Sequence, residues 1–287
     1  MRVINMTAKQ SIRIEKDHRS GVYNMPALHS HHSYEMYFLI SGSRRYFIGD
    51  TIYDIEANNL VLIPKTVLHK TLAPSRGGYE RYVVYFNDSS VAALIETIGK
   101  EAFDRLVQSH CLSLTETAAQ AILHALDTMY KEMIFPDRCS DLMLSELLNS
   151  ILILALRSGT PKAPVSEKNI SKMQDIVHYI NENLSSPLSL RDVASIAHME
   201  STYFSKCFKT ATGEGFQEYL TKVRLQKAEQ LLEHSRLSIS SVAETCGFST
   251  SNYFGDVFRQ RHGCSPSQYR KNAWDATDVN IPVKTSN

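Results

Sequence analysis

The sequence predicts a multidomain chain of mixed α and β class: a barrel of short strands followed by helices, then an all-α last third with two helix-turn-helix units joined by a long helix. Three observations carry this expectation. Between about 12 and 86 the apolar residues come in short aromatic and β-branched runs, each closed by turn residues. From Asn87 onward they recur at three-and-four spacing, as on amphipathic helices. From 188 to 270 one pattern occurs twice, at an offset of 50 residues between Tyr203 and Gly213 and their counterparts.

Composition sets the bounds. At 287 residues the chain exceeds one ordinary core, so two domains are expected. A hydrophobic fraction of 43% with 21% charged residues is that of a water-soluble globular protein. Lys and Arg number 31 against 30 Asp and Glu, so the net charge of +1 supplies no bulk attraction to a polyanion, and such contacts must come from local clusters. Cys111, Cys139, Cys207, Cys246 and Cys264 are scattered without Cys-x-x-Cys spacing, which suits reduced thiols rather than a disulfide framework or a zinc ribbon. No signal-peptide pattern opens the chain, and the most apolar stretch, 142–156, is too short to span a bilayer. A cytoplasmic protein without a membrane partner is the expectation.

The first strands are read at Tyr34-Glu35-Met36-Tyr37-Phe38-Leu39-Ile40, Arg45-Tyr46-Phe47-Ile48, Leu60-Val61-Leu62-Ile63 and Tyr82-Val83-Val84-Tyr85-Phe86. Just ahead lies His29-Ser30-His31-His32-Ser33-Tyr34-Glu35, and a later segment ends at His69. His29, His31 and Glu35 share parity, so on one extended strand they would face the same side, with His32 turned outward. This His-x-His-x-x-x-Glu, with Gly42 seven residues on and a later Pro64 and His69, resembles the cupin barrel motif. The resemblance implies that His29, His31, Glu35 and His69 meet inside a barrel, where metal-binding cupins hold a divalent metal. One departure is Asn59, near where the second motif usually has Gly. Three imidazoles and a carboxylate suit a transition metal. They also suit a metal-free pocket for a sugar or other small polar effector, which is the leading reading, or a structural polar cluster. Tyr37 and Arg45 join the candidate effector-binding residues, since an arginine beside the Gly42 turn can reach a carboxylate or phosphate.

Helices are expected over about 90–157. The third stripe, Leu144, Leu148, Ile151 and Ala155 with Leu147, Ile153 and Leu154 beside it, is apolar over more than one face, which points to a homodimer. Residues 158–168, rich in Pro, Gly and Ser, read as a linker between a first domain at 1–157 and a last one at 169–272, with 273–287 as a flexible tail.

In the last third, Ser189 caps a first short helix and Asp192 makes a loose capping box. A second helix, from Ser201 to Thr212 with Gly213 as its stop, buries Phe204, Cys207 and Phe208 and exposes Thr202, Ser205, Lys206 and Lys209. After a long helix from Phe216 to Glu233, the pattern repeats with Ser238 as start, Ser249 as cap of the second reader and Gly263 as its end. Two such units in tandem point to double-stranded DNA. The motif Leu190-x-x-Val193-Ala194, Phe204-x-x-x-Phe208-Lys209, Gly213, Arg224-Leu225-x-x-Ala228, Ile239-x-x-Val242-Ala243, Cys246-Gly247-Phe248-Ser249, Tyr253-Phe254-x-x-x-Phe258-Arg259 and Pro266-x-x-Tyr269-Arg270 resembles the DNA-binding domain of the AraC/XylS family of transcription regulators. A cupin-like sensor ahead of it is that family's common architecture.

The resemblance implies a sequence-specific transcription regulator, an activator rather than a repressor, controlled by a small-molecule effector and able to contact RNA polymerase. It implies no enzyme. The rival reading is a metal-dependent cupin enzyme with a DNA-binding tail. Ser201, Thr202, Ser205, Lys206, Lys209, Ser251, Asn252, Arg259 and Arg261 are the candidate DNA contacts, with Asn252 suited to adenine and Lys209, Arg259 and Arg261 to phosphate. Glu200 stands where a Ser-type cap is usual, and Asp256 where the first copy has Lys206. More base readout is therefore expected from the first unit than from the second.

Overall fold

The computed structural model describes residues 11–21, 23–25, 28–73, 77–165 and 168–278, with 168–171 and 275–278 described by backbone alone. Two compact units emerge, 1–171 and 172–287.

The first unit opens with β1 (Ile12–Arg19), β2 (Tyr34–Ser41), β3 (Ser43–Ile48), β4 (Thr51–Glu56), β5 (Asn59–Ile63), β6 (His69–Leu72) and β7 (Tyr79–Phe86). A helical layer follows as α1 (Ala92–Ile98), α2 (Lys100–Gln108), α3 (Glu116–Ile134) and α4 (Ser140–Ser158), with β8 (Cys111–Ser113) between α2 and α3 and β9 (Thr160–Pro161) after α4. The strands pair antiparallel in two sheets, ordered β1-β7-β2-β5-β8-β9 and β4-β3-β6.

The near-continuous apolar run of β2 follows from burial on both faces. Tyr37 and Leu39 point inward, where Tyr46 and Ile48 of β3, Tyr53 and Ile55 of β4, Val61 and Ile63 of β5 and Tyr79 and Val83 of β7 complete a core between the sheets. Met36 and Phe38 point the other way, with Leu60, Leu62, Tyr82, Val84 and Phe86, onto Phe103, Ile122, Leu126, Leu148, Ile151 and Leu152 of the helices. Each such buried side chain contributes about 1.5–3 kcal/mol. The α4 stripe read as a dimer face is thus largely consumed within the unit: Leu144, Leu148, Ile151 and Ala155 are buried, and Leu147, Ile153 and Leu154 pack partly against the same core. What stays outside is Ile134, Phe135, Leu142, Met143 and Leu156, with Phe135 79% exposed.

Two expectations are corrected in this unit. His29, His31 and Glu35 do not lie on one strand: β2 begins at Tyr34, and His29 forms an isolated antiparallel bridge with His69. Nor is 158–165 a free linker. The Leu112–Pro161 and Ser113–Thr160 pairs, the Lys162 N–H donating to the Cys111 carbonyl at 2.9 Å and the Val165 N–H donating to the Ile52 carbonyl at 2.8 Å sew it to the sheets. A stretch rich in Pro and Gly can serve as a sheet edge, where few ladder donors are needed.

The second unit holds most of α5 (Lys168–Glu182), then α6 (Leu190–Ile196), α7 (Ser201–Thr212), α8 (Phe216–His234), α9 (Ile239–Thr245), α10 (Ser251–His262) and α11 (Pro266–Asp278). Ser189 and Asp192 form a complete capping box at α6, since a carboxylate one methylene shorter than Glu still reaches the Ser189 N–H, at 3.1 Å. The cap of α10 is Thr250, whose hydroxyl accepts from the Tyr253 N–H at 3.1 Å, and not Ser249. The tail begins later than expected, because α11 runs to Asp278; residues 279–287 lie outside the described residues, as do 1–10.

The α8 helix, about 28 Å long, serves both readers. Its first turns hold Phe216 and Tyr219 against Phe208 of α7, with ring centroids 6.0 and 5.5 Å apart. Its later turns supply Leu225, Ala228 and Leu232 to a core with Val242, Ala243, Cys246, Phe248, Phe254 and Phe258. No helix among the described residues is long and apolar enough to cross a membrane.

Candidate functional site

The two reader helices are built alike. From Ser201 and from Ser251 the next ten residues run through the same order of burial, with Phe204 and Phe208 matched by the buried Phe254 and Phe258. Gly213 and Gly263 close the helices in left-handed C-caps, at φ 79° and 72°. At the start of α7 the Glu200 carboxylate accepts from the Thr202 and Tyr203 N–H groups at 2.8 and 3.1 Å. Those backbone bonds lower its pKa and show how a carboxylate replaces the usual hydroxyl cap.

Thr202, Lys206 and Lys209 are exposed along α7 with Ser201 and Ser205 half-buried beside them; Asn252 and Arg259 are exposed on α10 with Ser251 half-buried. Asp256 occupies the place of Lys206 and sits 4.0 Å from the Arg259 guanidinium. Arg261 departs from this group. It lies nine residues after Asn252, about two and a half turns on, and lines a cleft with Gln217, Glu218, Thr221, Lys222, Leu225 and Val257 on the α8 flank. Sequence reasoning also passed over Tyr203 and Tyr253. It treated each as skeleton because a buried Phe follows, yet they are 50% and 51% exposed on the reader helices.

In the first unit, His29, His31, Glu35 and His69 converge, with one ligand atom from each lying within 4.8 Å of all the others. Three elements bring them together: the bridge between His29 and His69, the loop before β2, and β2 itself. His31 Nδ1 lies 2.8 Å from the Ser33 carbonyl and His69 Nδ1 2.8 Å from the Val67 carbonyl. A carbonyl only accepts, so each Nδ1 carries its proton and each Nε2 turns to the interior. Both Nε2 atoms then face one oxygen, Glu35 Oε2, at 3.1 and 3.4 Å. Tyr46 donates to the other carboxylate oxygen at 2.9 Å.

Glu35 is buried, which opposes its charge, but His69 and His31 outweigh that and hold its carboxyl well below the usual range. Burial also opposes a charged His31; its bond to Glu35 and that carboxylate's charge prevail and raise its pKa. With both Nδ1 positions protonated, neutral rings would place lone pairs against a carboxylate. The arrangement calls for a cation among the four groups, either protons or a metal.

The other effector candidates separate. Tyr37 is fully buried in the interior, and burial raises its pKa. Arg45 points outward, because inward positions on β3 are Arg44, Tyr46 and Ile48, and it forms a two-pronged pair with Asp54 at 2.6 and 2.7 Å. The arginine that enters the barrel is Arg44. His32 is exposed, as its parity suggested.

Comparisons with known proteins agree with both halves. Residues 13–152 match the model of an AraC-like ligand binding domain, and residues 193–272 match that of a helix-turn-helix domain. The "Uncharacterized HTH-type transcriptional regulator YfiF" of Bacillus subtilis is 27% identical over 269 residues, covering 90% of this chain and 84% of that protein. The "HTH-type transcriptional activator RhaR" of Pectobacterium atrosepticum is 26% identical over 269 residues, covering 93% and 92%. The "Regulatory protein PocR" of Salmonella typhimurium is 44% identical over 101 residues, which span 35% of this chain and a third of that protein. With a ligand-binding sensor of this type ahead of two helix-turn-helix units, the chain belongs to the AraC family of DNA-binding transcription regulators.

Proposed function

We propose that the chain is a cytoplasmic, homodimeric transcription activator that contacts RNA polymerase and whose DNA binding or presentation is set by a ligand in the barrel. The observation that carries the DNA-binding part is the pair of reader helices with one burial order and two different surfaces. Thr202, Ser205, Lys206 and Lys209 face DNA from the first, while Asn252 and Arg259 face it from the second, with Ser201 and Ser251 at the helix starts. Arg261 is left to the α8 flank. Tyr203 and Tyr253 add a flat, partly polar contact to each helix. Joined by one rigid helix of about 28 Å, the readers are spaced for successive major grooves, roughly one turn of DNA apart. Hydroxyl-radical footprinting on the DNA upstream of the chain's own gene tests this. Protection should appear on one face of the duplex at two positions one helical turn apart; protection at a single position would contradict it.

For the sensor, the ring orientations favour a cation site over a purely structural cluster. His29, His31, Glu35 and His69 would hold a divalent transition metal, which would fix the strand carrying Glu35 to the segment carrying His29. Metal analysis of the purified chain, with chelation followed by melting, tests the cation. Stoichiometric metal and a lowered melting temperature after chelation are expected, whereas a metal-free protein that Zn(II), Mn(II), Fe(II) and Ni(II) all fail to stabilise would contradict it. An effector exerts control only through a difference in affinity between two arrangements of the protein.

A further inference from the structure

The α8 rod fixes only part of the relation between the two readers. It sets their distance along its axis, but each reader hangs from it by its own small core. At one end Phe208 packs on Phe216 and Tyr219; at the other Phe254 and Phe258 pack with Leu225, Ala228 and Leu232. The angle between the readers depends on contacts across the seam between these cores.

Three elements meet at that seam, and Arg224 lies among them. Its half-buried side chain leaves the middle of α8, donating from Nε to the Leu184 carbonyl at 3.1 Å and from Nη2 to the Ser186 carbonyl at 2.8 Å. Both carbonyls belong to the loop between α5 and α6, which leads into Ser189, the cap of α6 in the first reader. From the other side comes the turn between α9 and α10. Gly247 sits so close that an added Cβ would lie 2.0 Å from the Leu184 oxygen and 2.8 Å from Arg224 Nη2. The loop entering the first reader is thus held between α8 and the turn of the second.

The two copies of the turn show that this approach is particular to the seam. In the repeat, Ala197-His198-Met199 stands where the second copy has Cys246-Gly247-Phe248. His198 and Gly247 are both left-handed, at φ 52° and 79°. His198 is exposed, so the turn itself accepts a side chain; glycine at 247 answers to what packs against it. Asp192 and Glu244 line the groove along the seam, yet the hydrogen bonds of Arg224 go to neutral carbonyls, and burial lowers its pKa. Those two carboxylates also disfavour a DNA phosphate in the groove. A guanidinium fork bridges two acceptors at fixed geometry, whereas an ammonium is a point charge.

We propose that Arg224 is a positioning residue for DNA recognition. By tying the entry of the first reader to α8 beneath the turn of the second, it holds α7 and α10 at one angle and restricts the chain to one spacing between contacted DNA segments. This rests on the reading of α7 and α10 as DNA readers. One inserted base pair moves the second segment by about 3.4 Å and turns it by about 35°. A locked pair of readers cannot follow without losing contacts at one of them.

The test is selection from a pool of randomised duplexes by the full chain, Arg224→Gln and Arg224→Lys, with the spacing between selected segments read by sequencing. Fluorescence anisotropy then measures affinity for the parent's selected duplex and for forms with one base pair inserted or removed. The parent should select two segments at a single spacing and bind the shifted duplexes at least about tenfold more weakly. Arg224→Gln should accept several spacings, lose affinity for the original one, and narrow the penalty to less than about threefold. Arg224→Lys, which keeps the charge and can make one bond, should fall between. Both variants should melt cooperatively; if Arg224→Gln does not, the same comparison on Arg224→Lys decides. A parent that binds shifted duplexes equally well overturns the proposal, as does a folded variant that keeps the full spacing penalty. So does a loss uniform across spacings with a salt slope lower by about 0.9, which would make Arg224 a phosphate contact. A parent that selects no sequence, or a single segment, overturns the two-reader reading itself, which separates that failure from the others.

Discussion

Replacing Lys206 and Asp256 by alanine, one at a time, probes the difference between the two readers. The positions are equivalent in the repeat, and both side chains are exposed, that of Asp256 by 78%. Neither change empties a core, so folding stability should move by no more than about 0.5 kcal/mol. If Lys206 neutralises one phosphate, its loss lowers the slope of log affinity against log salt by about 0.9. Between about 50 and 200 mM salt that is roughly a 3.5-fold smaller change in affinity. A charge-assisted hydrogen bond contributes about 1.5–3 kcal/mol, so at low salt Lys206→Ala should bind at least about tenfold more weakly. Asp256→Ala removes an anion from the DNA-facing surface and frees Arg259, 4.0 Å away. Its affinity should hold or rise, with a slope at least as steep as the parent's. Fluorescence anisotropy on a fragment from upstream of the gene, repeated over that salt range, measures both quantities. Equal losses in the two variants would refute the asymmetry, and a Lys206→Ala slope equal to the parent's would refute the phosphate contact.

Three further substitutions and a titration follow from the geometry. Gly247 stands at φ +79° with no room for a side chain: an added Cβ would lie 2.0 Å from the Leu184 carbonyl oxygen. Gly247→Ala should cost more than about 2 kcal/mol, read by urea denaturation; an unchanged midpoint contradicts the turn described. Thr250→Ala should cost about 1 kcal/mol and Ser249→Ala close to none, and the reverse order would return the cap to Ser249. Burial pushes the Cys111 thiol up from 9.0 to about 12. The unfolded chain therefore releases this proton where the folded chain keeps it, and the stability it contributes is complete below pH 9.0 and lost between there and about 12. Thiol labelling near neutrality should modify exposed Cys139 first and spare Cys111 until the chain unfolds; rapid labelling of Cys111 in the native protein would contradict its burial.

Much of the fold was legible because periodicity reports burial directly. The doubled Val-Ala, Tyr-Phe-x-x-x-Phe skeleton had to be two small cores on one rod, and Phe204, Phe208, Phe254 and Phe258 are its fully buried members. The histidine cluster was legible as a composition but not as a geometry. Strand parity suggested a shared face, whereas a bridge, a loop and a strand bring the four groups together. Arg44 and Arg45 could not be told apart from sequence, since one residue of register decides which enters the barrel. The choice was made by the alternation of Tyr46 and Ile48 inward against Arg45 outward to Asp54. Much of the α4 stripe is spent inside the unit, because a helix beneath a sheet and beside another helix needs apolar residues on two faces. Tyr203 and Tyr253 carried no signal, as an aromatic beside a buried aromatic reads as core.

Recognition of particular DNA through two reader helices is the property on which the rest depends. Its most direct test is a gel-shift titration of the intact chain on the fragment upstream of its own gene, against a shuffled fragment of equal length. Specific sites are typically bound at least about a thousandfold more tightly than random sequence. A discrete complex that survives excess shuffled competitor, and that Lys206→Ala weakens, is the predicted result. Equal affinity for the genuine and shuffled fragments, or no complex with either, would contradict it.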